Sequence, residues 1–128
     1  LTLVSAEPER LLDLYRDILM ALHDFDTTRT IYRGNAIGPV RLALLRQPGS
    51  GVSVERLHVD RRCRHLGIGS CTMQALVDFA DLAGWTLTAE PRPETPDVDP
   101  VRLAGLFTRF GFDRLHGVHT MFRPPGPL

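Results

Sequence analysis

Apolar residues in this chain recur with two periods, and each change of period marks an element. Leu1-Thr2-Leu3-Val4 reads as a short strand. Leu11, Leu14, Tyr15, Ile18, Leu19 and Leu22 then fall on one helical face. With Pro8 suited to the first turn, they predict a helix to about His23. Phe25 to Thr28 reads as a turn and Thr30 to Arg33 as a strand, with Gly34-Asn35 as a turn signal. Val40 to Leu45 is the next strand, and Pro48-Gly49-Ser50-Gly51 a tight connection. Val52, Val54, Leu57 and Val59 suit a strand buried on both faces. Asp60 and a cluster of arginines break that run. Beyond them Ile68, Cys71, Ala75, Leu76, Phe79 and Leu82 recur at three and four residues, and Gly84 marks the helix end. Trp85 to Ala89 alternates as a strand. A strand, a crossover helix and a second strand imply a right-handed parallel βαβ unit.

Glu90 to Pro100 is rich in proline and acid and reads as a stiff solvated loop, with Asp99 placed to cap a helix that starts at Pro100. Its position after a parallel strand is also where open α/β sheets bind ligands, and its carboxylates would attract a cationic acceptor. Phe112 to Leu115 and Val118 to Phe122 flank His116-Gly117 as a terminal hairpin. The expected class is α/β in the α+β sense of a mixed sheet. It comprises an antiparallel N-terminal meander, a central parallel pair, and a C-terminal helix and hairpin. Residues 1–128 make one domain.

Composition narrows the function. Apolar residues are 43% of the chain, and fifteen basic and fifteen acidic residues cancel. Overall charge therefore points to no nucleic-acid or membrane partner. No apolar run approaches a membrane span and no signal-peptide pattern is present, so a cytoplasmic setting with Cys63 and Cys71 as free thiols is expected. Every basic side chain is an arginine. That removes Walker A phosphate binding, which needs a lysine, and lysine Schiff-base chemistry.

The segment between the parallel strands carries the candidate chemistry. Gly67 and Gly69 sit where a helix begins, where backbone N–H groups are unpaired and the helix dipole is positive. Arg61, Arg62 and Arg64 add charge, so a phosphate or pyrophosphate is favoured. The dinucleotide fingerprint fails because Thr72 stands where its third glycine belongs. Cys63, His65, His116 and His119 have no zinc spacing, and no metal site is expected.

The order Arg64-His65-Leu66-Gly67-Ile68-Gly69 after a strand and before an amphipathic helix resembles the central motif of the GNAT acetyltransferase superfamily. Leu103 to Phe112 resembles its second motif, a helix running into Gly-Phe, and His119 to Pro124 its last strand. The likeness covers Val52 to Pro124, and the first fifty residues only loosely, with one helix where the family commonly has two. It implies an acetyl-CoA-dependent N-acetyltransferase moving an acetyl group directly to an amine in a ternary complex. The backbone of Leu57, His58 and Val59 would hold the pantetheine arm. The N–H groups from Arg64 through His65, Leu66, Gly67, Ile68 and Gly69 to Ser70 would hold the pyrophosphate. Glu55, expected on the face of Leu57, is the base that the resemblance suggests; His58, His116 and His119 rank below it. The family's usual tyrosine acid falls at Phe107, which is expected among the cofactor-binding residues but has no proton to give, so the thiolate leaves unaided or Cys71 or water substitutes. The alternative is a weak or inactive module that holds CoA or a protein partner. A homodimer fits the resemblance.

Overall fold

In a computed structural model, residues 8–64, 66–91, 99–114 and 119–127 are described. The first element is α1, Pro8–Thr28, followed by β1 (Tyr32–Ile37), β2 (Val40–Arg46) and β3 (Gly51–Val59). A 3-10 turn at Arg61–Cys63 leads into α2 (Ile68–Ala83) and β4 (Thr86–Ala89). The chain continues with α3 (Pro100–Arg109), β5 (Asp113–Arg114) and β6 (Met121–Arg123). The six strands form one sheet in the order β1-β2-β3-β4-β6-β5. β3 and β4 are parallel, as the βαβ reading requires, and the other neighbouring pairs are antiparallel.

Val40, Leu42 and Leu44 of β2, Val52 and Val54 of β3, and Leu87 and Ala89 of β4 are buried on the face that meets the helices. Leu14, Ile18, Leu22 and Phe25 of α1 cover it, and so do Ile68, Thr72, Ala75, Leu76 and Phe79 of α2. α1 and α2 lie side by side, joined by a bond from the Tyr15 hydroxyl to Asp78 Oδ2 at 2.5 Å. That bond, with burial, pushes the Tyr15 phenol up to about 12. α3 comes to the first turn of α2, where Leu106 lies 3.7 Å from the position a Gly69 Cβ would take.

Several sequence expectations are corrected. α1 runs to Thr28 instead of stopping near His23. Phe25 continues the buried stripe one turn further, and its ring meets Trp85 edge-on at 5.8 Å. The hydroxyls of Thr27 and Thr28 bond back to the carbonyls of His23 and Asp24, which holds the last turn. Gly34 and Asn35 are inside β1 rather than a turn, because they pair with Ala43 and Leu42 of β2. The reversal is Gly38-Pro39, where Ile37 faces Val40 and Gly38 has φ +57°. Leu82 is 70% exposed, outside the buried stripe of α2. Trp85 precedes β4 and donates its N–H to the Ala80 carbonyl at 2.8 Å, closing the helix end. Asp99 caps α3 as expected, accepting the Val101 N–H at 2.9 Å. The strand expected over Leu1 to Val4, His65, most of the acidic loop and the His116-Gly117 turn lie outside the described residues.

The last strand is tied to the helix layer by charge. Arg123 donates from both terminal nitrogens to the Asp81 carboxylate of α2, at 2.7 and 3.1 Å. Its Nε donates to the Phe110 carbonyl at 2.8 Å, and Gly126 N–H also reaches Asp81. The Arg123 guanidinium holds the Asp81 carboxyl below the usual carboxylate range, against the opposing effect of burial. We expect Asp81→Asn to cost about 2 kcal/mol in denaturant unfolding. The wild-type advantage should be complete above the unfolded carboxylate value of about 3.9 and vanish as pH falls through the lower folded value. Equal midpoints at neutral pH for the two proteins would count against this tie.

Candidate functional site

The site grows from an interruption in β3. The β2–β3 register shifts between Ala43 and Leu44: Ala43 faces Arg56 but Leu44 faces Val54, so Glu55 is an extra, bulged residue. The parallel pairing of β3 with β4 stops at the same level, Val54 with Ala89 being the last pair. Beyond it Arg56 to Val59 pair with β2 alone among the described strands. Pro91, two residues past β4, has no N–H with which to resume the ladder.

The bonding phase decides what β3 offers on its open side. Asp60 donates its N–H to the Pro39 carbonyl at 2.7 Å. Alternation along an antiparallel ladder then makes Arg41–His58 and Ala43–Arg56 the bonded pairs. Leu57 and Val59 are the intervening positions, and their backbone polar groups point away from β2, toward the side that β4 has left. The backbone of His58 is used within the ladder. The Val59 carbonyl accepts Arg64 Nε at 3.1 Å.

The chain then turns through the short 3-10 segment, started by Asp60 accepting from the Arg62 N–H, and enters α2. Gly67 is the N-cap of α2 at φ +80°, a left-handed conformation that L side chains resist. Cys71 N–H bonds the Gly67 carbonyl at 2.9 Å and closes the first turn. The N–H groups of Ile68, Gly69 and Ser70 come before that bond, and among the described residues no acceptor meets them. A Cβ placed on Gly69 would lie 4.0 Å from Val59 Cγ2 and 3.7 Å from Leu106, so this turn abuts the end of β3. The glycine turn, the open backbone of Leu57 and Val59, and the middle of α3 are thus brought together.

Other candidates are placed differently from expectation. β3 is not buried on both faces: Glu55 and Arg56 are exposed. The bulge also breaks the period of two, so Glu55 does not share the face of Leu57. Leu57 and Val54 align with Leu42 and Leu44 on the helix side, whereas Glu55 accepts a hydrogen bond from Ser53 Oγ on the opposite side. Phe107 is 3% exposed and packs edge-on against Phe112 at 5.0 Å. Cys71 donates its thiol to the Leu11 carbonyl of α1 at 3.2 Å, and burial pushes it up. It is therefore turned into the α1–α2 seam. Leu66 is half-buried, Ile68 buried and His119 exposed; His65 and His116 are outside the described residues. Sequence reading missed Ser53, which carried no motif signal because its relevance comes only from the bulge.

No protein-family model matches the chain, and no curated protein does. Solved structures do. A Desulfovibrio desulfuricans protein assigned to the GNAT family of acetyltransferases aligns over 92% of both chains, at TM-score 0.53 and 15% identity. The chain has the GNAT acetyltransferase fold. The anti-CRISPR protein AcrVA5 aligns at TM-score 0.61 and 14% identity, over 73% of this chain and 98% of that one. AtaTR bound with AcCoA aligns at TM-score 0.51 and 21% identity, over 81% of this chain and 78% of that one. At these identities the superpositions show a shared fold alone. Among the described residues no helix is long and apolar enough to cross a membrane, and none forms a metal-holding cluster.

The two glycines of the turn separate backbone strain from available space. Gly67→Ala should cost about 1 kcal/mol in thermal or chemical unfolding, because φ must stay positive. Gly69→Ala should be neutral or slightly stabilising, since a helical Cβ there meets only ordinary contacts. The reverse order of stabilities would overturn this account of the turn.

Proposed function

We propose that this chain is an acetyl-CoA-dependent N-acetyltransferase acting on an amine. The observation that carries the reading is the end of parallel pairing at Val54–Ala89, with the uncapped first turn of α2 beside the backbone so exposed. A pantetheine arm is an extended amide-bearing chain. It can take the place of the missing strand against Leu57 and Val59. A diphosphate suits the N–H groups of Ile68, Gly69 and Ser70 at the positive end of α2. Arg64 leads into the same turn, and the order Arg64-His65-Leu66-Gly67-Ile68-Gly69 agrees with that assignment. Phe107 would support the cleft by packing, without touching the reacting atoms. The presence of AcCoA on AtaTR, a protein of the same fold, lends support to the choice of cosubstrate.

In this reading acetyl-CoA supplies an activated thioester. Glu55 takes a proton from the acceptor ammonium, and the freed amine nitrogen attacks the thioester carbonyl. The C–N bond forms and the C–S bond breaks. The electron pair leaves on sulfur as a thiolate, and the second proton that the new amide nitrogen must lose reaches that sulfur through water. Thiols have an ordinary pKa of about 8.5, so the leaving group needs little help from an acid. This fits Phe107 at the place where a tyrosine would otherwise donate. Phe107 also favours a second reading, in which the domain holds acyl-CoA without efficient turnover.

Calorimetry should detect acetyl-CoA binding by the wild type, and Gly69→Asp should abolish it by placing bulk and negative charge at the turn. Release of free thiol across a panel of amines separates the enzyme from the holding module. Glu55→Gln should lower turnover by about a hundredfold or more with binding of acetyl-CoA retained. No heat with millimolar acetyl-CoA would remove both readings.

A further inference from the structure

Glu55 is exposed and sits on a bulge, a poor setting for a group that must meet an amine in one orientation. One contact fixes it. Ser53 Oγ donates to Glu55 Oε2, and among the described residues this is the carboxylate's one hydrogen bond. In a regular strand, residues two apart share a face but stand nearly 7 Å apart along the chain. The bulge bends β3 between Val54 and Arg56 and brings the two side chains into reach. Ser53 itself is held on the regular part of the strand, paired with Leu45 on one side and Thr88 on the other. Its backbone is therefore held on both sides, while Glu55 is the extra residue of the bulge.

We infer that Ser53 is a positioning residue for Glu55: its hydroxyl occupies Oε2 and leaves Oε1 to receive the proton of the acceptor amine. The hydroxyl touches neither substrate nor the reacting atoms. A hydrogen bond to a carboxylate is stronger than one between neutral groups, and it biases the glutamate toward the rotamer that makes it. The bulge, usually read as a device that ends strand pairing, here also sets the distance between anchor and base. Alanine at 53 keeps the strand but removes the donor, and threonine restores it on a β-branched side chain that strands favour.

This inference deepens the transferase reading and rests on it for its catalytic half. Two measurements on the full chain keep them apart. The first is carbon-13 relaxation of the Glu55 methylene groups. It should report an ordered side chain in the wild type and Ser53→Thr, and a mobile one in Ser53→Ala. Identical relaxation in wild type and Ser53→Ala would overturn the positioning role, whatever the protein's activity. The second is steady-state kinetics with acetyl-CoA and an amine that the panel identifies. Ser53→Ala should lower kcat about tenfold with KM for acetyl-CoA unchanged, and Ser53→Thr should recover most of it. A wild-type kcat in Ser53→Ala, with Glu55→Gln inactive, would also overturn it and leave the transferase reading intact. Full turnover in Glu55→Gln would instead remove the base assignment on which the catalytic half depends.

Discussion

A parallel strand pair that stops halfway is the constraint from which the rest of this molecule follows. Backbone N–H and C=O groups are obligatory hydrogen-bonding groups, and leaving them unpaired in a sheet interior is costly. β3 is a central strand, yet after Val54 it has no described partner on the β4 side. The chain answers part of this demand itself, by returning Arg64 to the Val59 carbonyl. The remaining groups on Leu57 and Val59 face outward beside the first turn of α2. An extended ligand with amides and a terminal anion would satisfy both sets at once. The cleft is thus built mostly from main chain, and side chains serve chiefly to keep it open.

Keeping it open requires that β3 and β4 stay together below the split and apart above it. Below, Val52 and Val54 pack with Leu87 and Ala89 under α1 and α2. Phe25, Phe79 and Trp85 form a connected aromatic group at that end, with Arg46 stacked 4.8 Å from the Phe25 centroid. Trp85 Nε1 reaches Asp26 at 3.3 Å, so the strand start and the end of α1 are joined. On the far side of β4, Arg123 joins β6, α2 and the end of α3 through Asp81 and Phe110. The bulge at Glu55 and Pro91 after β4 act above the split. One adds a residue to β3, and the other removes a donor from the strand that would have paired with it.

The parts of this arrangement that were legible in the sequence are the ones set by local pattern. The stripe of α2, the glycine turn at its start, the cap at Asp99 and the parallel crossover all depend on residues close in the chain. What escaped depends on partners distant in sequence. Phe25 looked like part of a turn because Asp26, Thr27 and Thr28 follow it; contact with Trp85, sixty residues on, keeps it in the helix. Gly34-Asn35 carries a turn signature, but pairing with Ala43 and Leu42 extends it as strand. The bulge has no signature in Val52 to Val59 at all. It is a mismatch of register between two strands, and it put Glu55 on the face opposite the one that simple alternation assigns. The site's glycine turn could be read from sequence; the direction of its candidate base could not.

Phe107 shows how far the chemistry can be argued from the framework alone. A buried phenylalanine edge-on to Phe112 contributes to the core and offers no proton. For transfer from a thioester to an amine this omission is tolerable. A thiolate is a stable leaving group near neutral pH, whereas an alkylammonium has an ordinary pKa of about 10.4 and must lose a proton before it can attack. Removing the acid therefore sacrifices less than removing the base would. A site with this asymmetry places its demand on whatever orients the carboxylate, and in this fold the candidate carboxylate stands on an exposed bulge.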